Sequence, residues 1–231
     1  MAKFLITGGK KLEGEIELSG SKNAATKMMV ASLLNDEECV LENFPRIGDT
    51  EIPAELCRAV GSKIEPKGNA CVLKTGEILE NKIGPLSGGN RIPILALGPL
   101  LARTGKAEVP ILGGDKIGPR PVDIHLASLT RLGAKIETTN SGYKAEAPGG
   151  LLGAKIRFRY PSVGATENTI LAAVLAKGRT IIENAAVEPE IIDLIKMLQK
   201  MGAIIEMGTN RTIYIDGVKK LFGARHKIMP D

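Results

Sequence analysis

The sequence contains no tryptophan and few other aromatic residues, with three tyrosines and four phenylalanines among 231 positions. Proteins that bind single-stranded nucleic acid by stacking its bases need several exposed aromatic rings, so this class of function is disfavoured. The net charge is +5, and no block of five or more like charges occurs. We therefore expect these cations to bind small anions, such as phosphates and carboxylates, and expect no nucleic-acid partner.

Cysteine is also sparse. Cys39, Cys57 and Cys71 form neither a CxxC pair nor a zinc-binding spacing, which is typical of buried, unpaired thiols in a reducing compartment. The sequence opens without the apolar stretch of a signal peptide, and its most apolar run, residues 92–102, is about half the length that spans a bilayer. These features predict a cytoplasmic protein with no membrane partner.

An internal repeat of about 70 residues organises the chain. The segment VGSKIE at 60–65 recurs as LGAKIE at 132–137 and as MGAIIE at 201–206, at separations of 72 and 69 residues. The outer copies also match over about 55 residues at a constant offset of 141, which pairs Ser21 with Ser162. A constant offset of this kind indicates three copies of one supersecondary unit.

Each copy is predicted to have the order β-α-β-α-β-β. The fold class is therefore α/β, a pseudo-threefold repeat of βαβαββ units with apolar central helices inside and sheets outside. Glycines at 61, 133 and 202 are expected to end the second helix of each unit. The predicted elements of the outer copies are strands 15–18 and 155–158, helices 23–34 and 167–176, strands 39–42 and 180–183, helices 49–60 and 190–201, and closing strand pairs 63–65 with 71–73 and 204–206 with 212–215.

A Leu-x-Gly motif precedes the first strand of a unit at 12–14 and at 151–153. It returns at 221–223, so a fourth unit is predicted to begin near residue 219. Its strand would have no helix to pack on, because the sequence stops before the next central helix is due.

Three loops and one arginine are candidates for chemistry. The first loop, SGSKN at 19–23, places Lys22 at a helix start, where free backbone N–H groups attract anions; the alternative is a Ser or Asn N-cap beside a solvated lysine. The second, at 112–123, carries Asp115, a possible general acid, and Arg120, which can fork onto a phosphate; the alternative is a turn aspartate followed by surface cations. His125, just beyond, is interpreted as a satisfied helix-start histidine.

The third loop, at 160–168, is the repeat partner of the first and has lost the lysine. Its divergence favours a different ligand group, such as a base or sugar beside Tyr160, and the alternative is another capped helix start. Arg91 opens the central helix of the middle unit. Lys22, Arg91 and Arg120 are therefore expected to lie near one another and to form an anion site.

Three motifs together, SGSKNAA, GGDKIGPRPVDIH and PSVGATEN, resemble those of the UDP-N-acetylglucosamine 1-carboxyvinyltransferase family of enolpyruvyl transferases. The resemblance runs from residue 3 to the last residue. It implies a two-domain protein that transfers the enolpyruvyl group of phosphoenolpyruvate to the 3-hydroxyl of UDP-N-acetylglucosamine and opens peptidoglycan synthesis. Residues 1–20 would join a missing second domain, 21–229 would form the first domain, and 230–231 would begin the crossover between them.

The resemblance also implies roles for individual residues. Asp115, on a mobile lid, would be the general acid, and Lys22 would stabilise the charge of phosphoenolpyruvate. No metal or organic cofactor is implied. The residues implied to hold phosphoenolpyruvate are Lys22, Asn23, Arg91 and Arg120, and those implied to hold the UDP-sugar are Asn23, Arg91, Arg120, Pro121, Val122, Asp123, Ile124, His125, Tyr160, Pro161, Ser162, Val163 and Gly164.

This sequence departs from the family pattern at three positions. Asp115 stands where most members have a cysteine, so it can still donate a proton but cannot form the thioether by which fosfomycin inactivates the family. Tyr160 replaces a lysine of some members and Leu95 an aromatic residue. Residues that the reaction needs lie in the family's second domain, so we expect this chain alone to lack turnover. The alternatives are a half-site that only binds the UDP-sugar and one subunit of a split enzyme.

Overall fold

The structure is a computed structural model that describes residues 3–89, 91–113 and 121–231. Within these ranges, short 3₁₀ helices at Ser32–Leu34, Gly48–Thr50 and Ile92–Ala96 adjoin longer helices. The α-helices are α1 (Lys22–Ala31), α2 (Glu51–Ala59), α3 (Leu97–Thr104), α4 (Asp123–Arg131), α5 (Val163–Ala173) and α6 (Pro189–Lys200).

The strands of the described residues form three sheets. Their bounds are β1 (Glu38–Glu42), β2 (Lys63–Lys67), β3 (Ala70–Lys74), β4 (Lys106–Pro110), β5 (Lys135–Thr139), β6 (Gly142–Glu146), β7 (Lys155–Arg157), β8 (Arg179–Glu183), β9 (Ile204–Met207), β10 (Ile213–Asp216) and β11 (Arg225–Lys227). The strand orders are β11-β1-β3-β2, β4-β6-β5 and β7-β8-β10-β9.

The three sheets repeat one pairing scheme, which confirms the predicted repeat. In each sheet the strand after the central helix pairs antiparallel with the last strand of its unit: β1 with β3, β4 with β6, and β8 with β10. Asn43 and Asn184, 141 residues apart, both have positive φ, and their side-chain amides donate to the carbonyls of Ile228 and Phe158. The predicted helix-ending glycines at 61, 133 and 202 have φ of 103°, 96° and 98°.

The apolar helices lie in the interior, as predicted. Every residue of α5 from Ala165 to Ala173 is buried, whereas the strands alternate between buried and more exposed positions because only one face of each sheet meets the core. All three cysteines are buried and unpaired, which confirms that prediction. Burial raises the pKa of Cys57 to about 12, so this thiol stays protonated.

The predicted strand at 15–18 is absent. Residues 3–19 form no strand and are exposed, and β11 takes the place beside β1, parallel to it, with Leu41 opposite His226. The prediction that this last strand has no helix to pack on is also wrong. His226 is buried against α6, where its Nε2 lies 3.0 Å from Oδ1 of Asp193. Strand β11 is thus the edge strand of the first sheet, parallel to its neighbour, as β7 is in another sheet.

Helix α5 begins at Val163, four residues before the predicted start at 167, and ends at Ala173 rather than 176. The earlier start arises because Ser162 caps the helix by accepting a hydrogen bond from the N–H of Ala165 at 3.3 Å.

The Leu-x-Gly motif has a steric cause at two of its three occurrences. A Cβ at Gly153 would lie 2.4 Å from the carbonyl oxygen of Arg179, and one at Gly223 would lie 2.2 Å from that of Glu38. Only glycine allows the chain to approach β8 and β1 this closely. At Gly14 nothing lies within 4 Å, consistent with the unpacked segment around it.

Candidate functional site

A pocket of about 560 Å³ lies where the starts of α1 and α5 meet the segment that leads into α3. It brings together seven of the predicted site residues, which come from all three units. They are Lys22, Asn23, Arg91, His125, Ser162, Val163 and Gly164. The other lining residues are Thr26, Lys27, Asp49, Gly89, Ile92, Ile94, Leu95, Glu167 and Glu190. The loops that sequence patterns singled out thus share one cavity, while their ligand-binding roles remain predictions.

Two of the predicted cations lie at this pocket. The Lys22 ammonium is 3.5 Å from a carboxylate oxygen of Asp49, and both side chains are about half exposed. The backbone N–H of Lys22, at the start of α1, is 3.5 Å from a carboxylate oxygen of Asp231. Helix N-termini favour negative charge, and here a carboxylate of the chain occupies that position. The Arg91 guanidinium donates to the carbonyl of Pro121 at 3.3 Å.

His125 is buried in the first turn of α4 and lines the pocket. The Asn168 amide nitrogen donates to the Ile94 carbonyl at 3.1 Å and lies 3.3 Å from Nδ1 of His125. Because this nitrogen is a donor, Nδ1 accepts and the ring proton is on Nε2. Burial, reinforced by Arg91, lowers the pKa of His125 to about 4, so the ring is neutral at pH 7. His125 thus lies at a helix start, as interpreted, and its Nδ1 has a partner in Asn168.

The close contact between α5 and the His125 ring depends on Gly164. A Cβ there would lie 3.1 Å from Cε1 and 3.3 Å from Nε2 of His125, closer than ordinary van der Waals contact. The glycine of the third loop therefore lets the start of α5 pack against α4.

Sequence reasoning gave no role to two pocket residues, although one of them, Glu167, lies in the third loop. Glu167 on α5 is 1% exposed, and burial raises its pKa to about 8, although the charge of Lys27 opposes the shift. The Lys27 ammonium on α1 lies 4.0 Å from Oε1 of Glu167. The sequence did contain a signal that could have identified them. Each is a charged residue within a mostly apolar helix that was predicted to be central, where charged residues are unusual.

The residues predicted to hold the UDP-sugar do not all line this pocket. Asp123 and Ile124 line a second hollow of about 540 Å³, where a carboxylate oxygen of Asp123 pairs with Arg159 at 2.6 Å. Of the remaining predicted residues, Pro121 and Tyr160 are exposed, Pro161 is half-buried and Val122 is buried. Asp115 and Arg120 lie outside the described residues.

The described ranges contain no cluster of three His, Cys, Asp or Glu side chains placed to hold a metal ion. Nor do they contain a helix that combines the length and apolarity needed to cross a membrane.

Comparison with known proteins gives a family and several relatives. The profile of EPSP synthase (3-phosphoshikimate 1-carboxyvinyltransferase) matches residues 6–231. A UDP-N-acetylglucosamine 1-carboxyvinyltransferase of Chlamydia muridarum is 50% identical over 235 residues, and one of Gluconobacter oxydans is 48% identical over 233 residues. Both matches cover 100% of this chain, but 53% and 56% of the relatives. The chain thus spans about half the length of the curated relatives it matches.

Solved structures share the fold. The enolpyruvyl transferase NikO from Streptomyces tendae matches 97% of this chain and 53% of its own, with a TM-score of 0.78 and 21% identity. An EPSP synthase from Acinetobacter baumannii matches 97% of this chain and 51% of its own, with a TM-score of 0.80 and 21% identity. At this identity the likeness concerns the fold alone, and it confirms the predicted α/β repeat with central helices inside and sheets outside.

Proposed function

This chain belongs to the EPSP synthase family, and we propose that it forms the first half of a UDP-N-acetylglucosamine 1-carboxyvinyltransferase. The supporting observation is that relatives with this name are about 50% identical over the whole chain. The reaction would transfer the enolpyruvyl group of phosphoenolpyruvate to the 3-hydroxyl of UDP-N-acetylglucosamine and release phosphate. Its product would serve peptidoglycan synthesis.

The pocket supports binding of an anionic ligand. Lys22 and Arg91 supply positive charge at its rim, and Asn23 supplies an amide beside the start of α1. A ligand phosphate or carboxylate at this position would replace Asp49 and Asp231 as the partner of Lys22 and of its backbone N–H. Arg120 would add a second guanidinium from the loop that contains it.

In the proposed reaction, Asp115 in its protonated form donates a proton to the methylene carbon of phosphoenolpyruvate. The oxygen of the sugar 3-hydroxyl then bonds to the neighbouring carbon and gives its proton to a base outside this chain. Loss of a proton from the new methyl group and departure of phosphate restore the double bond. The positive charges at the pocket would stabilise the phosphate throughout.

His125 and the start of α5 would contact the nucleotide sugar. The neutral ring of His125 carries its proton on Nε2, which would donate to a carbonyl or phosphate oxygen of a ligand. Ser162, Val163 and Gly164 line the same wall of the pocket. Asp123 and Ile124, in the second hollow, would extend the UDP-sugar site together with the exposed ring of Tyr160.

We also propose that residues 1–20 belong with a second domain, that 21–229 form the domain described above, and that 230–231 begin the crossover. The support is the segment at 3–19, whose large apolar side chains are exposed: Phe4 to 95%, Leu5 to 99% and Ile6 to 85%. Apolar side chains in such a continuous stretch favour burial against another surface.

A turnover assay tests the proposed function. The chain alone should release no phosphate from phosphoenolpyruvate, because the base and further cations lie outside it. Mixed with the separately produced remaining half of the Chlamydia muridarum relative, it should release phosphate only when UDP-N-acetylglucosamine is present. Phosphate release by the chain alone would refute the proposal that the chain is only half of the enzyme. Phosphate release that does not depend on the nucleotide sugar would refute the proposed substrate.

The two alternative functions, binding of the UDP-sugar alone and a subunit of a split enzyme, predict different results in these mixtures. A half-site that only binds the nucleotide sugar would show binding but no phosphate release in any mixture. A subunit of a split enzyme would associate stably with its second half and regain activity on co-expression.

Asp115 leads to a separate proposal about inhibition. A carboxyl group cannot form the thioether through which fosfomycin inactivates cysteine-containing members, so we expect the active assembly to resist the drug. Mass spectrometry of the drug-treated protein should find no adduct, and a stable adduct on Asp115 would contradict the proposal.

A further inference from the structure

The pocket contains a second lysine on α1, deeper than Lys22. The Lys27 side chain is 14% exposed, against 47% for Lys22, and its ammonium lies 4.0 Å from Oε1 of Glu167. That separation is beyond a direct hydrogen bond, so the two groups are neighbours without being bonded. Both line the same pocket as Lys22 and Asn23.

The carboxyl group of Glu167 is unsatisfied among the described residues. Both carboxyl oxygens of Glu167 are buried without a hydrogen-bond partner in the described part of the chain. Burying such groups costs free energy unless they are paired, and a lysine ammonium brings three donors that need acceptors. A ligand oxygen is one acceptor that the pocket can bring to Lys27.

The charge of Glu167 decides how much of the Lys27 charge a ligand experiences. Burial raises the pKa of Glu167 to about 8, Lys27 opposes this shift, and Glu190 and Glu188 add to it. At pH 7 the carboxyl is therefore mostly neutral and leaves the ammonium uncancelled. Among the described residues, the other charged or titratable groups that line the pocket are Lys22, Asp49, Arg91 and His125.

We propose that Lys27 binds an anionic oxygen of the ligand, a phosphate or carboxylate, and that Glu167 adjusts the strength of this binding through its charge. Once ionised, Glu167 attracts the ammonium away from the ligand and repels the ligand anion. The naming of phosphoenolpyruvate or the nucleotide sugar as that ligand rests on the proposed function, whereas the anion chemistry rests on Lys27 and Glu167 alone.

The test is calorimetric titration of the full chain with inorganic phosphate, phosphoenolpyruvate and UDP-N-acetylglucosamine at pH 7 and pH 9. The variants are Lys27→Met, Glu167→Gln and, as a matched control, Lys63→Met on the exposed β2 strand. Lys27→Met should weaken binding of inorganic phosphate about tenfold at pH 7, which is about 1.4 kcal/mol, and Lys63→Met should leave it unchanged. Circular dichroism and thermal unfolding establish that each variant is folded.

Glu167→Gln supplies a result that a purely structural role would not produce. At pH 7 this variant should bind phosphate as the wild type does. At pH 9 it should bind about five- to tenfold more tightly than the wild type. Comparing the two proteins at the same pH removes the contribution of phosphate's own ionisation.

The proposal is overturned if folded Lys27→Met binds phosphate as tightly as the wild type, if Glu167→Gln and the wild type have the same pH profile, or if the wild type binds no phosphate at about 10 mM. Dependence of phosphate binding on Lys27, without any binding of phosphoenolpyruvate or UDP-N-acetylglucosamine, supports this inference and contradicts the proposed function. Binding of both substrates with no effect of Lys27→Met supports the proposed function and overturns this inference.

Discussion

Nδ1 of His125 lies 3.3 Å from the side-chain nitrogen of Asn168, which joins α4 to α5 beneath the pocket. The same nitrogen donates to the carbonyl of Ile94. The hydroxyl of Thr169, the next residue of α5, donates at 2.8 Å to that of Ser128, one turn further along α4. These buried polar contacts fix the second unit against the third at the site itself. The side-chain nitrogen of Asn168 has both of these partners, while its Oδ1 is buried without one among the described residues.

The histidine predicts a pH dependence of stability. Its pKa is about 4 in the folded chain and about 6.5 when unfolded, so the unfolded chain binds more protons between these values. The free energy of unfolding should therefore fall as the pH drops from 6.5 to 4, by up to about 3 kcal/mol from this residue. Urea unfolding of wild type and His125→Gln at pH 7 and pH 4.5 measures this, and the variant should lose less. Equal losses of unfolding free energy in the two proteins would contradict the lowered pKa of His125.

Glu167 predicts the opposite dependence at higher pH. Because its pKa is raised to about 8, the folded chain holds a proton that the unfolded chain releases between about pH 4.5 and pH 8, so stability falls as pH rises through this range. Glu167→Gln should match the wild type near pH 4 and exceed it at pH 8.5 by roughly 2–4 kcal/mol. Denaturant unfolding checks this, with exposed Glu65→Gln as the control expected to show no such gain.

Asp193 should hold β11 in place. Burial would raise the pKa of Asp193, but hydrogen bonds from His226 and from the backbone N–H of Met229 lower it below its usual value. Asp193→Asn should cost about 2–4 kcal/mol of unfolding free energy and speed amide exchange in β11. Glu42→Gln, which breaks the more exposed pair with Arg225 on the same strand, should cost at most about 1 kcal/mol. Equal losses of unfolding free energy in the two variants would refute the proposal that Asp193 holds β11 in place.

The two packed Leu-x-Gly motifs predict a steric effect. A methyl group at Gly153 or Gly223 would meet a strand carbonyl at 2.4 or 2.2 Å, so either alanine variant should destabilise the chain by about 2 kcal/mol or more. Gly149→Ala is the matched control, because nothing lies within 4 Å of its added methyl. Thermal unfolding midpoints measure the difference, and three similar midpoints would argue against the steric explanation.

The repeat made most of the fold predictable. A helix or strand that recurs at a fixed offset is supported twice, which is why α1, α2, α6 and the closing strand pairs were predicted closely. The predicted strand at 15–18 failed for a reason that local sequence does not carry. A strand distant in sequence, β11, pairs with β1 instead. Strand β11 also follows a Leu-x-Gly motif, and it contains the buried His226.

The candidate site was only partly predictable. Gly-rich loops and cations at helix starts identified Lys22 and Arg91, because those positions expose backbone donors and charge. Lys27 and Glu167 lie one to two turns inside apolar helices, where a charged residue is recognisable as unusual but its partner, on another helix, is not. Asn168 ends the third loop but was given no role, since its partners Ile94 and His125 become neighbours only through tertiary packing.

We propose that this chain carries part of a binding site for UDP-N-acetylglucosamine, and calorimetric titration with that nucleotide sugar measures the binding itself. The wild type should bind it with a dissociation constant of about 1 mM or tighter, equivalent to about −4 kcal/mol. Arg91→Ala should weaken this binding at least tenfold, while Lys63→Ala should leave it unchanged. No binding by the wild type, or equal binding by Arg91→Ala, would rule out this binding site.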